Sequence, residues 1–156
     1  MPLPITSREV KTLIAAGELR NALALLNSST SHRFTAFYRF GGDTLHNLIL
    51  VDRDDPTHTG PGDIPVLASY CVFIRDTGAA FSTMDSLEDE RVAGHAKRNE
   101  IRSYCGVPVM DALGRVYGSL CHFDYRPLPV EPGALDLLEA VAPALELANS
   151  SPSSAN

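Results

Sequence analysis

Two apolar segments interrupted by glycine, near the carboxyl end of the chain, constrain the fold most strongly. Ile101–Met110 and Arg115–Asp124 are strand-like, and Asp111-Ala112-Leu113-Gly114 between them has the composition of a turn. Gly106 and Gly118 stand inside these strands, where a side chain would crowd a neighbour. The pattern predicts an antiparallel hairpin.

A second hairpin is predicted earlier in the chain. Arg33–Phe40 is aromatic with partial alternation, Leu45–Val51 is apolar, and Gly41-Gly42-Asp43 supplies the turn. Ala80–Met84 reads as a further short strand. The segment Asp52–Gly62 is rich in Asp, Pro, Gly and Thr and predicts a long loop, which in compact domains often covers a site.

Helices are predicted before and between the hairpins. Thr6-Ser7-Arg8-Glu9 is a capping-box sequence, and apolar residues then recur at helical spacing from Val10 to Leu26, which predicts one helix. Asp63-Ile64-Pro65 has the residues of a second helix start, with Asp63 as its cap and an end near Gly78.

A last amphipathic helix follows Pro129–Gly133, and Pro143 is expected to kink it because proline lacks the amide that would bond Glu139. The order helix, hairpin, helix, strand, hairpin, helix predicts an α+β domain with helices packed on an antiparallel sheet. The predicted boundaries are one domain over residues 1–149, with an N-terminal helix in 1–30, sheet and pocket segment in 31–130 and a C-terminal helix in 131–149, followed by a disordered tail, 150–156.

Composition excludes several classes of protein. The 156 residues carry 13 basic and 19 acidic side chains, a net charge of −6, which disfavours nucleic acid as a partner. Hydrophobic residues make up 44%, enough for a core, yet no apolar stretch is long enough to cross a membrane. Three cysteines, without a Cys-x-x-Cys pair, and a start without signal-peptide features predict a cytoplasmic protein.

The middle and end of the chain resemble a GAF domain of the stand-alone, single-domain bacterial type. The resemblance rests on Ser69-Tyr70-Cys71, on Asp85 and Asp89-x-Arg91, on Ile101–Val109 and on Gly114–Asp124. The clear match extends over Ser69–Leu147. It implies a GAF-like antiparallel sheet with the terminal helices on one face and a ligand-pocket segment on the other.

The same resemblance implies a small-molecule-binding sensory or regulatory domain that acts in signal transduction through a partner protein, since no effector segment is recognised in the sequence. An anion or a nucleotide-like molecule is a candidate ligand, and the cofactor is left unknown. A homodimer is expected through the helices Ser7–Leu26 and Gly133–Leu147. The alternative is a GAF-fold thiol enzyme of the free methionine-(R)-sulfoxide reductase kind, although a non-enzymatic role is preferred.

Two polar features are candidate binding groups. The free amides of Val66, Leu67 and Ala68, at the predicted helix start, favour a small oxyanion unless Asp63 caps them. A second set would orient a polar ligand in an apolar cavity, or would organise loops and strands instead. It comprises Tyr70, Asp85, Arg91, His95, Tyr104 and His122.

The cysteines separate the two functional hypotheses. Cys71, Cys105 and Cys121 are interpreted as buried structural thiols, because each lies within or beside an apolar run. The cysteine arrangement of the sulfoxide reductases cannot be placed in the segment Asp85–Cys105, because Cys105 is the only cysteine in it. The predicted ligand-binding residues are Leu67, Ala68, Tyr70, Cys71, Asp85, Arg91, Tyr104, Cys105 and His122, with no catalytic residue and no metal ligand.

Overall fold

The two predicted hairpins form the centre of a six-stranded antiparallel sheet in the computed structural model, which describes residues 4–150. The strands are β1 (Phe34–Gly41), β2 (Thr44–Asp52), β3 (Ile64–Pro65), β4 (Phe81–Thr83), β5 (Ser103–Met110) and β6 (Val116–Asp124). Their spatial order is β3-β2-β1-β6-β5-β4, so the two hairpins meet where β1 pairs with β6. The predicted α+β architecture is confirmed.

Four α-helices accompany the sheet: α1 (Ser7–Ala15), α2 (Leu19–Ser28), α3 (Cys71–Thr77) and α4 (Ala134–Ser150). The predicted capping box is present, because the Thr6 side chain accepts from the Glu9 amide and the Glu9 carboxylate accepts from the Thr6 amide. Pro143 lies inside α4. None of the helices found between residues 4 and 150 has the length and apolarity needed to cross a membrane. Apart from the residue that ends α4, the predicted tail lies outside the described residues.

The prediction of one continuous helix from Val10 to Leu26 is wrong. Gly17 adopts a left-handed conformation with φ of 80° and separates α1 from α2. Its amide donates to the Ile14 carbonyl at 3.0 Å, and the Glu18 amide donates to the Leu13 carbonyl at 2.9 Å, which closes the end of α1.

The predicted helix start at Asp63–Pro65 is also wrong. Ile64 and Pro65 pair with β2, Val66–Ala68 form a single 3₁₀ turn, and the α-helix begins only at Cys71. Asp63 does not cap it; instead its carboxylate lies 2.9 Å from Nδ1 of His46. The end near Gly78 is confirmed, with φ of 67° at that residue.

The two faces of the sheet have different covers. Helices α1, α2 and α4 pack on one face, which we call the helix face, where Phe37, Val107 and Leu120 join the core formed with the helices. Helix α3, the 3₁₀ turns and the loops cover the other, the loop face, where Phe34, Tyr38 and other aromatic residues cluster. Side chains alternate between the faces along each strand.

Gly118 explains how closely β1 and β6 approach each other. A Cβ atom built at this position would lie 1.9 Å from the backbone oxygen of Tyr38. The pairing of β1 with β2 shifts register between Phe37 and Tyr38, next to the same point. An irregularity of this kind bends a sheet.

Candidate functional site

A cavity of about 310 Å³ lies between the loop face of the sheet and the segments that follow β2 and precede β5. We call it the aromatic cavity because six of its lining residues are Phe or Tyr. Its lining comprises Phe34, Tyr38, Leu50, His58, Pro61, Ile64, Pro65, Ala68, Ser69, Tyr70, Lys97, Glu100, Ile101, Tyr104, Cys121, Phe123 and Tyr125.

Buried tyrosines form part of its wall. The Tyr70 ring packs edge-on against the Tyr104 ring, with 5.7 Å between ring centroids, and the Tyr70 hydroxyl donates to the Ile101 carbonyl at 2.8 Å. Burial raises the pKa of both Tyr38 and Tyr104 well above the usual value. Both phenols therefore stay neutral, and the two tyrosines contribute to the lining of the aromatic cavity.

The ionisable side chains of the lining are His58, Lys97 and Glu100, which are all partly or fully exposed, and we call the part of the aromatic cavity that they form its exposed end. The buried Asp52 carboxylate is hydrogen-bonded to Nδ1 of His58 at 2.8 Å. It also accepts two hydrogen bonds from the Arg33 guanidinium, from Nε at 2.7 Å and from an Nη atom at 2.9 Å. Burial raises the pKa of Asp52, but the hydrogen bonds from Arg33 and His58 lower it further, to about 2. The Lys97 ammonium donates to the Glu100 carboxylate at 3.2 Å.

Behind the wall lies a cluster of thiol and hydroxyl groups. The Cys71 sulfur is 3.2 Å from the Tyr104 hydroxyl and accepts a hydrogen bond from the Ser119 hydroxyl at 3.1 Å. Cys121 belongs to the same loop-face core and itself lines the aromatic cavity. Although burial raises the pKa of Cys71, its interactions with Cys121 and with neighbouring hydroxyl groups lower it to about 7.

The predicted binding residues divide into groups. Ala68, Tyr70 and Tyr104 line the aromatic cavity, and Cys71 lies directly behind Tyr104. The Leu67 side chain is 69% exposed. The amides expected to bind an oxyanion do not form a helix N-terminus, and the Val66 amide already donates to the Asp43 carbonyl at 2.8 Å. The structural basis of that anion prediction is therefore missing.

Asp85 and Arg91 lie outside the aromatic cavity and border a second, more open groove. The Asp85 carboxylate caps the Leu87 amide at 3.1 Å and accepts from Arg102 at 2.7 Å. Arg91 pairs with Asp89 at 2.6 Å, and its guanidinium lies 4.6 Å from the centroid of the Phe81 ring. These contacts stabilise the 3₁₀ turns between β4 and β5.

Cys105 and His122 point to the helix face. Burial raises the pKa of Cys105 to about 12, so this thiol remains protonated. His122 hydrogen-bonds the Thr35 hydroxyl through Nδ1 at 2.7 Å and stacks on His32 with 6.2 Å between centroids. Burial lowers the pKa of His122 to about 3. Both side chains are separated from the aromatic cavity by the thickness of the sheet.

Several residues that line the aromatic cavity were not identified from the sequence. Phe34, Tyr38, Cys121 and Phe123 follow a two-residue period along β1 and β6, a signal that would have placed them together had the register been known. His58 comes from the long loop, where no strand pattern indicates which way a side chain points.

Throughout residues 4–150, no group of three or more His, Cys, Asp or Glu side chains is arranged to hold a metal ion.

Solved structures with the same fold have different functions. The chain is similar to the free methionine-R-sulfoxide reductase from Neisseria meningitidis in complex with its substrate, with 18% identity, a TM-score of 0.74, and 97% of this chain and 90% of that chain covered. It is also similar to the GAF domain of an Acinetobacter phosphoenolpyruvate-protein phosphotransferase, at 15% identity and a TM-score of 0.73, covering 91% and 89% of the two chains. At such identities the likeness shows the fold alone.

A third similar structure is the phycocyanobilin-bound GAF domain of a cyanobacterial phytochrome, at 11% identity and a TM-score of 0.69, with 94% of each chain covered. No curated protein sequence matches the chain. The sequence model that describes the GAF domain matches residues 16–148. Because this match spans the whole sheet, the aromatic cavity, α2 and nearly all of α4, the chain belongs to the GAF domain family.

Proposed function

We propose that this protein binds a small, mostly apolar molecule in the aromatic cavity and acts as a sensory domain. The observation that carries the proposal is the cavity itself, a volume of about 310 Å³ walled by aromatic side chains beneath loops rather than beneath helices. Many GAF domains are sensory, which supports the same role here.

The dimensions and lining of the aromatic cavity limit the ligand. Ligand pockets in proteins span roughly 300–1,000 Å³ and are lined mainly by apolar and aromatic groups with a few polar ones. This cavity lies at the lower end of that range, which suits a molecule of one or two rings and disfavours a linear tetrapyrrole or a dinucleotide. Stacking against tyrosine and phenylalanine rings favours a planar ligand.

The polar groups at the exposed end favour a ligand with one polar substituent. The bond from His58 to Asp52 uses Nδ1 and leaves Nε2 as the ring nitrogen able to meet a ligand. Lys97 supplies an ammonium group at the same end, next to Glu100. We therefore expect the rings of the ligand to lie among the tyrosines and its polar substituent to lie near His58 and Lys97.

Signalling would follow from ordering of the cover over the aromatic cavity. His58 and Pro61 come from one loop, Ala68 and Ser69 from the 3₁₀ turn and its end, and Lys97 from the segment before β5. A ligand that contacts all of these restricts their motion and shifts the population towards one arrangement. We propose that a partner protein in the cytoplasm reads this arrangement.

We also propose that two copies of the chain pair through α1 and α4, which pack against each other on the helix face. Leu147, on α4, is 70% exposed and is a candidate contact. Light scattering on the wild type and on Leu147→Glu tests this proposal, with a dimeric mass expected for the first and a monomeric mass for the second. A monomeric wild type at high concentration would exclude the homodimer.

A matched pair of substitutions tests ligand binding. Ala68→Trp places an indole in the aromatic cavity, whereas Leu67→Trp adds the same group at the neighbouring exposed position, outside the lining. Native mass spectrometry of the purified protein, followed by titration with indole, adenine, aromatic carboxylates and nitrate, measures binding. We expect the wild type and Leu67→Trp to bind a ring compound and Ala68→Trp to lose that binding.

Two results would contradict the proposal. One is a wild type that carries no copurified compound and is not stabilised by any member of the panel. The other is a ring compound that binds Ala68→Trp as well as it binds the wild type. Circular dichroism of the three proteins establishes that each is folded, so that lost binding is not mistaken for lost structure.

The reductase hypothesis has less support from the geometry. Cys105 lies on the helix face, whereas Cys71 and Cys121 lie on the loop face, so the three thiols do not form one relay. All three side chains are buried. An assay for reduction of free methionine sulfoxide, with each cysteine changed singly to serine, decides the question: activity that one substitution abolishes would favour the enzyme.

A further inference from the structure

The sheet brings two of the three cysteines together. Cys71 begins α3 and Cys121 lies in the middle of β6, yet both belong to the loop-face core. A Cβ atom built at Gly106 would lie 2.6 Å from the Tyr104 hydroxyl and 2.9 Å from the Cys121 Cβ atom. The Tyr104 hydroxyl, 3.2 Å from the Cys71 sulfur, is therefore close to both cysteines. Cys121 lines the aromatic cavity and Cys71 lies behind its wall, and the ligand binding proposed above uses the reactivity of neither thiol.

The surroundings of Cys71 resemble those of a reactive thiol more than those of a structural one. Its sulfur accepts a hydrogen bond from the Ser119 hydroxyl at 3.1 Å and lies 3.2 Å from the Tyr104 hydroxyl, which is able to donate a second one. Donors of this kind stabilise a thiolate, which is the nucleophilic form of cysteine. The pKa of about 7 for Cys71 agrees with this geometry.

A small reagent has a route to the pair. Tyr104 and Cys121 both line the aromatic cavity, whose other end is formed by the partly exposed His58 and the exposed Glu100. A molecule not much larger than water can therefore reach the Cys121 side of the thiol cluster through the aromatic cavity without unfolding of the sheet.

We propose that Cys71 and Cys121 form a redox-modification site that a hydroperoxide converts into a disulfide. The sulfur of one cysteine attacks the peroxide oxygen, the O–O bond breaks, and an alcohol or water leaves with the thiol proton, which gives a sulfenic acid. The sulfur of the second cysteine then attacks the sulfenic sulfur, and water leaves. Two thiols are oxidised, one peroxide is reduced, and the new S–S bond ties α3 to β6.

Cys105 provides an internal control. It lies one residue from Tyr104 in β5, but its side chain points to the helix face and its thiol is protonated, with a pKa of about 12. Oxidation that depended only on burial or on distance along the chain would affect Cys105 as well. A reaction that depends on the loop-face cluster leaves it unchanged.

The experiment uses the full chain, reduced and then exposed to hydrogen peroxide at a concentration that oxidises free cysteine. After the peroxide is removed, the protein is unfolded, alkylated with N-ethylmaleimide and measured by mass spectrometry. We expect the wild type to lose two of its three alkylatable thiols. Peptide mapping is expected to recover a linked pair of peptides that contain Cys71 and Cys121.

The variants sharpen the result. Cys105→Ser should lose both of its remaining thiols, whereas Cys71→Ser and Cys121→Ser should form no intramolecular disulfide. Three alkylated thiols in the treated wild type would overturn the proposal, as would a disulfide that includes Cys105 or an overoxidised cysteine without any cross-link. Because the peptide map is made on the wild type, the test does not depend on how well a variant folds.

Discussion

The helix face and the loop face of the sheet bury similar numbers of apolar side chains but differ in what covers them. On the helix face, Leu23, Leu138 and Leu145 interlock with Leu120 and Val107. On the loop face, helix α3 is only seven residues long, and loops and 3₁₀ turns complete the cover. Regular helices fill the space above a sheet with regularly spaced side chains, whereas loops leave room, and the aromatic cavity occupies that room.

The two faces also differ in how their buried polar groups are paired. On the helix face, His122 and Thr35 bond to one another within the packed core. At the loop that covers the other face, Asp52 bonds to Arg33 and His58, which are partly exposed. On the helix face these polar groups therefore pair within the core, whereas on the loop face the buried Asp52 holds His58, which lines the aromatic cavity.

The largest loss of stability is expected where β1 pairs with β6, in the part of the sheet that both faces share. Gly118→Ala places a Cβ atom 1.9 Å from the Tyr38 backbone oxygen, which cannot move away without separating β1 from β6. We expect the free energy of unfolding to fall by about 4 kcal/mol or more, which is exceptional for one methyl group. Urea denaturation measures it, and Gly94→Ala, with open space around the new methyl group, is the control. Equal midpoints for the two variants would contradict the close approach of the strands.

The same substitution made on each face compares the two covers directly. Leu120 lies in the helix-face core, whereas Leu50 borders the aromatic cavity. We expect Leu120→Ala to reduce the free energy of unfolding by about 3 kcal/mol, because it creates a new void in a filled region. Leu50→Ala should cost less, since it enlarges a space that already exists. A larger loss for Leu50→Ala would mean that the loop face is packed as tightly as the helix face.

The two faces should also respond to acid in different pH ranges. Burial lowers the pKa of His122 from the usual 6.5 to about 3. Between pH 6.5 and pH 3 the folded state therefore binds fewer protons than the unfolded state. Stability is therefore complete above pH 6.5 and falls as the pH decreases towards 3. The slope is about 1.4 kcal/mol per pH unit, or about 2 kcal/mol between pH 6.5 and 5.

Asp52 acts in a lower range, because its pKa of about 2 lies below the usual 3.8 and its contribution disappears only between these values. Urea denaturation of His122→Asn at pH 6.5 and pH 5 should give a shallower dependence than the wild type gives. Asp52→Asn should keep the wild-type dependence there and differ only below pH 4. An unchanged slope in His122→Asn would show that this histidine is not responsible for acid sensitivity on the helix face.

Local signals in the sequence were sufficient for much of the fold. The turn residues between the strands and the capping box at Thr6 act over a few residues, and the structure confirms them. The break at Gly17 was missed because apolar residues continue at helical spacing on both sides of it. Ile64 and Pro65 were assigned to a helix because their pairing with β2 depends on residues distant in the chain.

The site was harder to predict than the fold. The sequence predicts Ala68 from the amides of a helix start and Tyr70 and Tyr104 from their polar side chains, and all three line the aromatic cavity. Cys105 and His122, in contrast, point to the other face. A strand's register decides which face each residue occupies, and register is set by partner strands. The position of His58 over the cavity depends on its bond to Asp52, which composition alone does not reveal.

The alternation of side chains along β1 and β6 makes two properties of this protein separately adjustable. Phe34, Tyr38 and Cys121 shape the aromatic cavity, whereas their immediate neighbours along the strands hold the helices. Substitutions at every second position of these strands therefore change the lining of the aromatic cavity while leaving the helix contacts intact. The same short stretch of backbone thus shapes a cavity on one side of the sheet and carries the packed helices on the other.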